Sequence, residues 1–271
     1  MIVLVLIILG LILGSFVNAL VWRLHEQQRH RTADRKLSIL MGRSMCPNCH
    51  HELMAKDLVP VMSWLWLKGR CRYCKKPIDV QYPLVELTVP IVFVVSYICW
   101  PLMLQGEGLF VFILWIFFIV GFVALAVYDI RWFMLPNRLV YPLIGLAVVQ
   151  VAVTAAIYRG GFPTVLNALW GVIIISGLFY VIFQSSKGKW IGGGDVKLGL
   201  VLGLLAGGPF QSFLLLFVAS FLGSLIAVVL LVSGKAKKST RLPFGPFLLF
   251  GTLFAVLFGS NLYQFLIIQR V

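Results

Sequence analysis

Runs of apolar residues that are long enough to cross a lipid bilayer fill most of this 271-residue chain. They are almost free of charged side chains, as membrane-spanning helices are. Hydrophobic residues make up 61% of the chain, which exceeds the share typical of a soluble domain. The pattern predicts an all-α polytopic membrane protein with about eight transmembrane helices. The candidate spans are residues 2–22, 84–104, 109–128, 138–158, 164–184, 195–208, 211–232 and 246–268.

One polar insert separates the first span from the second, which divides the chain into residues 1–22, 23–83 and 84–271. No basic segment precedes the first span, so we expect this span to be retained with its N-terminus outside. If each span then crosses, every Lys and Arg except Arg159 and Arg270 falls on the cytoplasmic side. The net charge of +14 therefore reflects cytoplasmic loops, and we expect no nucleic-acid partner.

The sixth span is shorter than the others. As a helix, residues 195–208 would extend for about 21 Å, against about 30 Å for the hydrocarbon core. A re-entrant segment is the alternative, but it would move four basic residues to the outer face, against the charge bias. We favour a short crossing that begins slightly below the membrane surface. The four residues are Lys235, Lys237, Lys238 and Arg241.

Two aspartates lie at the ends of predicted spans in a chain that has only nine acidic residues. Asp129 ends the third span, and Asp195 opens the sixth on the same cytoplasmic side. Two close carboxylates share a proton and supply a base and an acid together. The alternatives are a helix cap or solvated loop end for each residue, or an ion or proton site in a transporter.

Two Cys-x-x-Cys pairs lie in the polar insert and are typical of a tetrahedral zinc site: Cys46 with Cys49, and Cys71 with Cys74. A rubredoxin-like iron site and a metal-free form are the alternatives. We expect His50 and His51 to be surface residues. Cys99 stands alone in an apolar run, which indicates a packed core thiol.

Several other polar or small residues lie within or beside the spans. Ser15 and Asn18 suit hydrogen bonds between helices, and Gly10-x-x-x-Gly14 suits close helix approach. The carboxylate of Glu86 either reaches the membrane surface or helps to bind a substrate amine. The segment Pro243–Pro246 is typical of a turn followed by a helix start.

Taken together, these residues closely resemble the type IV prepilin peptidase family, whose sequence blocks occur in the same order over nearly the whole chain. Any one block alone would be weak, whereas the combination is highly specific. The blocks are Gly14–Asn18, the two Cys-x-x-Cys pairs, Pro60–Trp64, Gly69–Arg72, Tyr82–Leu87, Asp129 followed by Leu135–Asn137, Gly192–Leu198 and Pro243–Pro246.

The resemblance implies a bifunctional enzyme of the bacterial inner membrane with its active site facing the cytoplasm. Such enzymes cleave the leader peptide of type IV prepilins or type II secretion pseudopilins after a glycine. They then N-methylate the new N-terminal residue with S-adenosylmethionine. Residues 84–271 would be the aspartic peptidase core, and residues 23–83 the cytoplasmic insert with structural zinc. The implied partners are these substrates and the lipid bilayer.

The family's catalytic aspartates align with Asp129 and Asp195. One departure is Asn137, where many members of the family carry Asp. The Gly-x-Gly-Asp frame also resembles presenilin-type proteases, but the cysteine pairs and the other blocks argue against that assignment. No glycine-rich methyl-donor fingerprint occurs in the sequence, so no donor-binding residue is assigned. A proton- or ion-coupled transporter that uses the same aspartates is the alternative function.

The predicted orientation can be tested with single cysteines and a membrane-impermeant thiol reagent. Cysteines near positions 105, 160 and 210 should react from the outer face, because the charge bias places these connections outside. Cysteines at positions 235–241 should react only after the membrane is opened. Reaction of positions 235–241 in intact cells would contradict a full crossing by the sixth span.

Overall fold

The computed structural model describes residues 1–30, 37–39, 42–157, 161–234 and 242–268. Within these residues the chain forms ten α-helices, and extended pairing is limited to two isolated bridges in the insert. The helices are α1 (Ile2–His30), α2 (Met62–Trp66), α3 (Gln81–Ile98), α4 (Glu107–Trp132), α5 (Asn137–Ala156), α6 (Gly161–Val172), α7 (Leu178–Ser186), α8 (Gly193–Ala206), α9 (Pro209–Val232) and α10 (Gly245–Ile268).

Seven helical segments in the described part of the chain are long and apolar enough to cross a membrane. They are α1, α3, α4, α5, α9, α10 and the continuous segment Gly161–Ser186, in which a π-helical turn, Ile173–Gly177, joins α6 to α7. The predicted sixth span is helix α8, which has 14 residues and is shorter than the other seven. These helices confirm the prediction of an all-α polytopic membrane protein.

The first helix continues beyond the predicted end at residue 22. It runs to His30 because Leu24 is fully buried and Arg23 finds polar partners. The Arg23 guanidinium donates hydrogen bonds to the carbonyls of Ser38 at 3.2 Å, Ile39 at 3.1 Å and Gly42 at 2.9 Å. The buried charge therefore ties the end of α1 to the beginning of the insert.

The predicted second span, 84–104, ends too late in the chain. Helix α3 stops at Ile98, since Pro101 disfavours helical geometry in the residue before it. Cys99 therefore lies just after the helix and is partly exposed, so the prediction of a packed core thiol was wrong.

Some basic residues used to predict the orientation lie outside the described residues: Arg31, Arg35, Lys36, Arg159, Lys235, Lys237, Lys238, Arg241 and Arg270.

Residues Met1–Ile98 and Ile119–Ala124 form one compact unit. Within it, α1 and α3 touch backbone to backbone. A Cβ atom at Gly10 would lie 2.5 Å from Cα of Pro90, and one at Gly14 would lie 2.8 Å from Cα of Glu86. Side chains at these positions would force the two helices apart. Asn18 donates a hydrogen bond to the carbonyl of Tyr82 at 3.0 Å, which is the predicted bond between helices.

The insert in this unit contains two knuckles with the same local geometry. The carbonyl of Cys46 accepts the N–H of His50 at 2.9 Å, and the carbonyl of Cys71 accepts the N–H of Lys75 at 3.0 Å. His50 and Lys75 both have positive φ angles, 55° and 59°. Each chain segment thus turns sharply after its second cysteine, and the turn keeps its pair of thiols together.

Residues Cys99–Phe118 and Leu125–Val271 form the second unit. Helix α8 packs closely against the Gly161–Ser186 segment through small residues. A Cβ atom at Gly203 would lie 2.6 Å from Cα of Val172, and one at Gly199 would lie 3.0 Å from Cα of Ser176. This packing fixes the position of α8 and hence of the aspartate in its first turn.

Candidate active site

Asp129 lies one turn before the end of α4. The helix ends because Phe133 adopts a left-handed conformation, with φ of 53°, and its N–H donates to the Asp129 carbonyl at 2.8 Å. The Asp129 side chain is only 7% exposed. Its Oδ2 accepts the backbone N–H of Gly245, the first residue of α10, at 3.0 Å. The N-terminus of a helix favours a negative charge, so α10 both positions and stabilises this carboxylate.

Asp195 is the third residue of α8, since the helix begins at Gly193, two residues before the predicted span. Its Oδ2 accepts the backbone N–H of Gly192, the residue that precedes the helix, at 3.2 Å. The side chain thus contributes to capping, as one alternative reading of the sequence proposed. A capping carboxylate also keeps lone pairs for a second partner, so this role does not exclude chemistry at the same group.

The turn after α4 and the start of α8 are held together. The side chain of Leu135 packs against Gly194, where an added Cβ atom would lie 3.1 Å from the leucine Cβ. Lys197 Nζ donates to Asn137 Oδ1 at 2.9 Å and lies 5.5 Å from the ring centre of Tyr141. These contacts bring Asp129 and Asp195 near enough for their carboxylates to interact electrostatically. The arrangement can share one proton between two oxygen acids.

Asn137, the departure from the family pattern, accepts the hydrogen bond from Lys197. An aspartate at this position would offer the same kind of oxygen acceptor together with a negative charge. Because Asn137 is exposed, a pair of opposite charges here would add only about 0–1 kcal/mol of stability. The residue therefore acts in the attachment of α5 to α8, and an amide is sufficient for that contact.

Two residues beside the aspartates were not recognised from the sequence. Ser176, in the π-helical turn, donates from Oγ to the carbonyl of Val196 at 2.9 Å and so holds the residue next to Asp195. Gly245 was interpreted only as part of a turn. Two weak sequence signals could have identified them. One is a serine followed by a glycine within an apolar span, and the other is a glycine at a helix start.

The four cysteines of the insert form one cluster, in which all four sulfur atoms lie within 4.8 Å of one another. Cys46 Sγ and Cys74 Sγ are 3.9 Å apart. Sulfur atoms around a tetrahedral zinc ion would be separated by about 3.8 Å, given Zn–S bonds of about 2.3 Å. The four thiols therefore lie close enough together to hold one metal ion. Both His50 and His51 are exposed, as predicted, and neither belongs to the cluster.

A buried acid next to the cluster holds the second knuckle in place. Asp57 accepts hydrogen bonds from Arg72 Nε at 2.6 Å and from the Tyr73 hydroxyl at 3.0 Å. Burial raises the pKa of the Asp57 carboxyl, but these two bonds outweigh burial and the pKa lies below its usual value. The network therefore stabilises the insert at neutral pH and loses its contribution as the pH falls through the folded-state pKa.

A cavity in the first unit lies beside the cysteine cluster. Glu86 lines it and is only 8% exposed, which argues against the first of the two alternatives, a carboxylate that reaches the membrane surface. The Glu86 carboxylate accepts the N–H of Val61 at 2.7 Å and a hydrogen bond from the Ser15 side chain. The polar end of α1 and the beginning of α3 thus share one enclosed acidic group.

Comparisons with known proteins match both parts of the chain. Residues 8–100 match the bacterial peptidase A24 N-terminal domain, and residues 116–228 match the type IV leader peptidase family. A prepilin leader peptidase/N-methyltransferase of Stutzerimonas stutzeri is 31% identical, over 94% of this chain and 90% of its own length.

Two further relatives are similar over comparable lengths. A protein of the same name from Pseudomonas aeruginosa is 29% identical, over 94% of this chain and 90% of its own length. The type 4 prepilin-like proteins leader peptide-processing enzyme of Escherichia coli O78:H11 is 32% identical, over 89% of this chain and 88% of its own length. No solved structure matches the chain.

Proposed function

Because this chain belongs to the type IV leader peptidase family, we propose that it cleaves prepilin leader peptides and N-methylates the new N-terminal residue. Its substrates are type IV prepilins, type II secretion pseudopilins or both. The observation that carries the peptidase half is the pair formed by Asp129 and Asp195, each fixed by a backbone amide and near enough to interact. The cleavage site is at the cytoplasmic face of the inner membrane.

Peptide cleavage by this pair uses one protonated and one ionised carboxyl group. The ionised aspartate accepts a proton from water as the water oxygen attacks the scissile carbonyl carbon, and the protonated aspartate donates its proton to the carbonyl oxygen. The tetrahedral intermediate then breaks at its C–N bond: the aspartate that took the proton from water donates it to the leaving nitrogen, and a hydroxyl of the intermediate returns a proton to the other aspartate. The products are the leader, with a free carboxylate, and the mature chain, with a free amine.

The position of the pair suits a substrate that has an apolar helix after its leader. In that case the helix lies in the bilayer and the cleavage site lies at its surface. Asp129 is near the end of a membrane-spanning helix, and Asp195 is near the start of the short helix α8. The glycines that precede Asp195 are in contact with other parts of the chain, Gly194 with Leu135 and Gly193 with Phe183, so they allow these side chains to approach the start of α8.

Methylation follows cleavage because it needs the amine that cleavage releases. The neutral nitrogen attacks the methyl carbon of S-adenosylmethionine, an N–C bond forms, and the C–S bond breaks with its electron pair on sulfur. S-adenosylhomocysteine leaves, and the nitrogen loses a proton to solvent. The methyltransferase activity in the names of the relatives supports this half of the proposal.

The metal of the cysteine cluster is zinc with a structural role. Four thiolates close a tetrahedral site and leave no open position for a substrate. The longest helix that lies wholly within the described part of the insert is α2, with five residues, so metal binding contributes directly to the folding of the insert. When bound, zinc would cross-link the two knuckles. No step of cleavage depends on it.

Replacement of either aspartate by asparagine tests the catalytic pair. Asp129→Asn and Asp195→Asn should each reduce prepilin cleavage by about 10²–10⁴-fold or more, because each removes the acid or the base. The double variant should be little worse than either single variant, since the two residues act as one unit. Cleavage is measured by mass spectrometry of purified prepilin with purified enzyme.

Glu107→Gln, at the other end of α4, is the matched control and should cleave normally. Near-normal cleavage by either aspartate variant would exclude the pair. A transporter that uses the same aspartates would show no cleavage even as the unaltered protein.

Gly245→Ala tests the amide contact to Asp129. A Cβ atom at Gly245 would lie 2.7 Å from Asp129 Oδ2, so the carboxylate must move. A shift of this kind in a catalytic group lowers the rate strongly, and we expect cleavage to fall by about tenfold or more. Thermal unfolding should change little, because only a side-chain end is displaced. Gly145→Ala is the control, since nothing lies within 4 Å of that position. Equal rates for the two variants would contradict the positioning role.

Metal analysis of the purified protein tests the zinc site. One zinc ion per chain is expected, and replacement of Cys46 or Cys71 by Ser should remove it, because a closed site needs all four thiolates. Limited proteolysis should then cut the insert faster than in the unaltered protein. Cys99→Ser is the control and should retain the metal. Folded, active protein without zinc would disprove this assignment.

A further inference from the structure

We propose that two exposed apolar loops beside the aspartate pair bind the substrate, and that Trp190 and Phe133 contact apolar side chains in its first turn after the scissile bond. This inference rests on the peptidase half of the proposed function and adds residues that would hold the substrate. One loop leads to Asp195 and the other follows Asp129. Both loops belong to the second unit.

The first loop, residues 187–192, presents a large apolar side chain that the described part of the chain leaves uncovered. Trp190 is 80% exposed, although tryptophan is highly buried on average. It precedes Asp195 by five residues, so its Cα atom lies no more than about 18 Å from that of the aspartate. An extended peptide bound at Asp195 therefore reaches Trp190 within about six of its own residues.

The backbone of the first loop is held by hydrogen bonds and packing, which fixes the position of Trp190. Gly188 has a positive φ of 74°, and its N–H donates to the carbonyl of Phe183 at 2.9 Å. The N–H of Trp190 donates to Ser186 Oγ at 3.4 Å. A Cβ atom at Gly188 would lie 3.1 Å from Cε2 of Phe183, and one at Gly193 would lie 3.7 Å from it. A side chain on such a loop can bind a ligand with little loss of backbone entropy.

The second loop, residues 133–136, carries two further exposed apolar side chains. Phe133 is 53% exposed, and Met134 is exposed to a similar extent. Phe133 also has a left-handed backbone, with φ of 53°, which is unfavourable for a residue that has a Cβ atom. Backbone strain of this kind is concentrated at binding and catalytic sites, so it is a second indication of function at this loop.

The two loops come together at the aspartate pair. Leu135 of the second loop packs against Gly194, which lies two residues after the end of the first loop. The carboxylates of Asp129 and Asp195 are near enough to interact electrostatically. The exposed side chains of both loops therefore border one site. A peptide whose scissile bond lies at the pair must pass them.

A membrane surface is the competing partner for these side chains. Trp190 has exposed lysines at positions 187 and 189 on its own loop, and tryptophan and lysine are common at the boundary of a bilayer. A membrane anchor needs only one such loop. Here two loops from distant parts of the chain present apolar side chains beside the same pair of acids, which favours a partner that reaches those acids.

The chemistry of the substrate fits an apolar contact on the mature side of the cut. The proposed substrates have an apolar helix after the leader, so apolar side chains follow the scissile bond closely. Contact with Trp190 and Phe133 would remove apolar surface of both partners from water. The loops would thus hold the first turn of the helix while the bond before it lies at the aspartates.

Kinetics in detergent micelles, with the purified full-length protein and a purified prepilin, test the proposal without a bilayer. Trp190→Ala should raise KM about tenfold or more with little change in kcat, because it removes binding that the ground and transition states share. Trp190→Phe should recover most of this loss, since an apolar ring remains. Phe162→Ala removes an exposed ring at the other end of the Gly161–Ser186 segment and should leave KM unchanged.

A second substrate shows whether Trp190 contacts the peptide itself. In this prepilin the apolar residues of the first turn after the scissile bond are replaced by alanine. The unaltered protein should cleave it with a KM about tenfold higher, and Trp190→Ala should then add little, because both changes remove the same contact. An equal loss from Trp190→Ala on both substrates would overturn the proposal.

Phe133→Gly is an independent variant that keeps the left-handed turn, because glycine adopts a positive φ without strain. It should raise KM while the melting temperature stays close to that of the unaltered protein. Unchanged KM in both Trp190→Ala and Phe133→Gly would contradict the proposal. If Trp190→Ala slows cleavage only in vesicles of phosphatidylethanolamine and phosphatidylglycerol, and not in micelles, the loop binds lipid and the proposal is also wrong.

Cleavage by the unaltered protein separates this proposal from the proposed function. If the unaltered protein cuts the prepilin and both loop variants keep its KM, the substrate is held elsewhere and the peptidase function stands. If the unaltered protein does not cut the prepilin, the peptidase function itself is disproved.

Discussion

A carboxylate at the edge of a lipid bilayer must be held by fixed donors, because the surrounding medium offers too little water to solvate it. This protein supplies those donors from its backbone. Asp129 and Asp195 each accept an N–H from a glycine at the start of a helix, Gly245 for α10 and Gly192 for α8. Backbone amides cannot rotate away as side chains can. The geometry of the pair therefore depends on where α8 and α10 begin, and the helix packing of the second unit serves to fix those two points.

Close packing between helices is achieved with small residues in both units. In a bilayer, helices gain little from burial of apolar surface, so contact between backbones and polar bonds between helices carry more of the association. Helix α3 packs on the flat surface that Gly10 and Gly14 form on α1. In the same way, the Gly161–Ser186 segment packs on the surface that Gly199 and Gly203 form on α8. The polar bonds from Asn18 to Tyr82 and from Ser176 to Val196 reinforce these two contacts.

The membrane-spanning architecture could be predicted from the sequence because a long uncharged run has few other structures available to it. The cysteine cluster could also be predicted from the sequence, because the two short Cys-x-x-Cys spacings hold the thiols in pairs. The contacts of Gly245 with Asp129 and of Ser176 with Val196 could not be predicted, because they join residues far apart in sequence and involve a backbone amide or a common hydroxyl. The burial of Glu86 was missed for a related reason. Its environment is created by the insert, whose path the apolar pattern does not determine.

The π-helical turn at Ile173–Gly177 has a consequence for how this chain can change during evolution. Such a turn accommodates one residue more than an α-helical turn does. Because the wider turn takes up that residue, the α-helical parts on its two sides stay in phase with each other. Loss of one residue within the turn would restore a regular helix and leave Gly171, which precedes the turn, facing Gly203. Loss of one residue from either α-helical part would instead rotate everything beyond it by about 100° and move side chains away from α8. The segment can therefore change in length at the turn more readily than elsewhere, and the contact of Ser176 with Val196 is the one that such a change would alter.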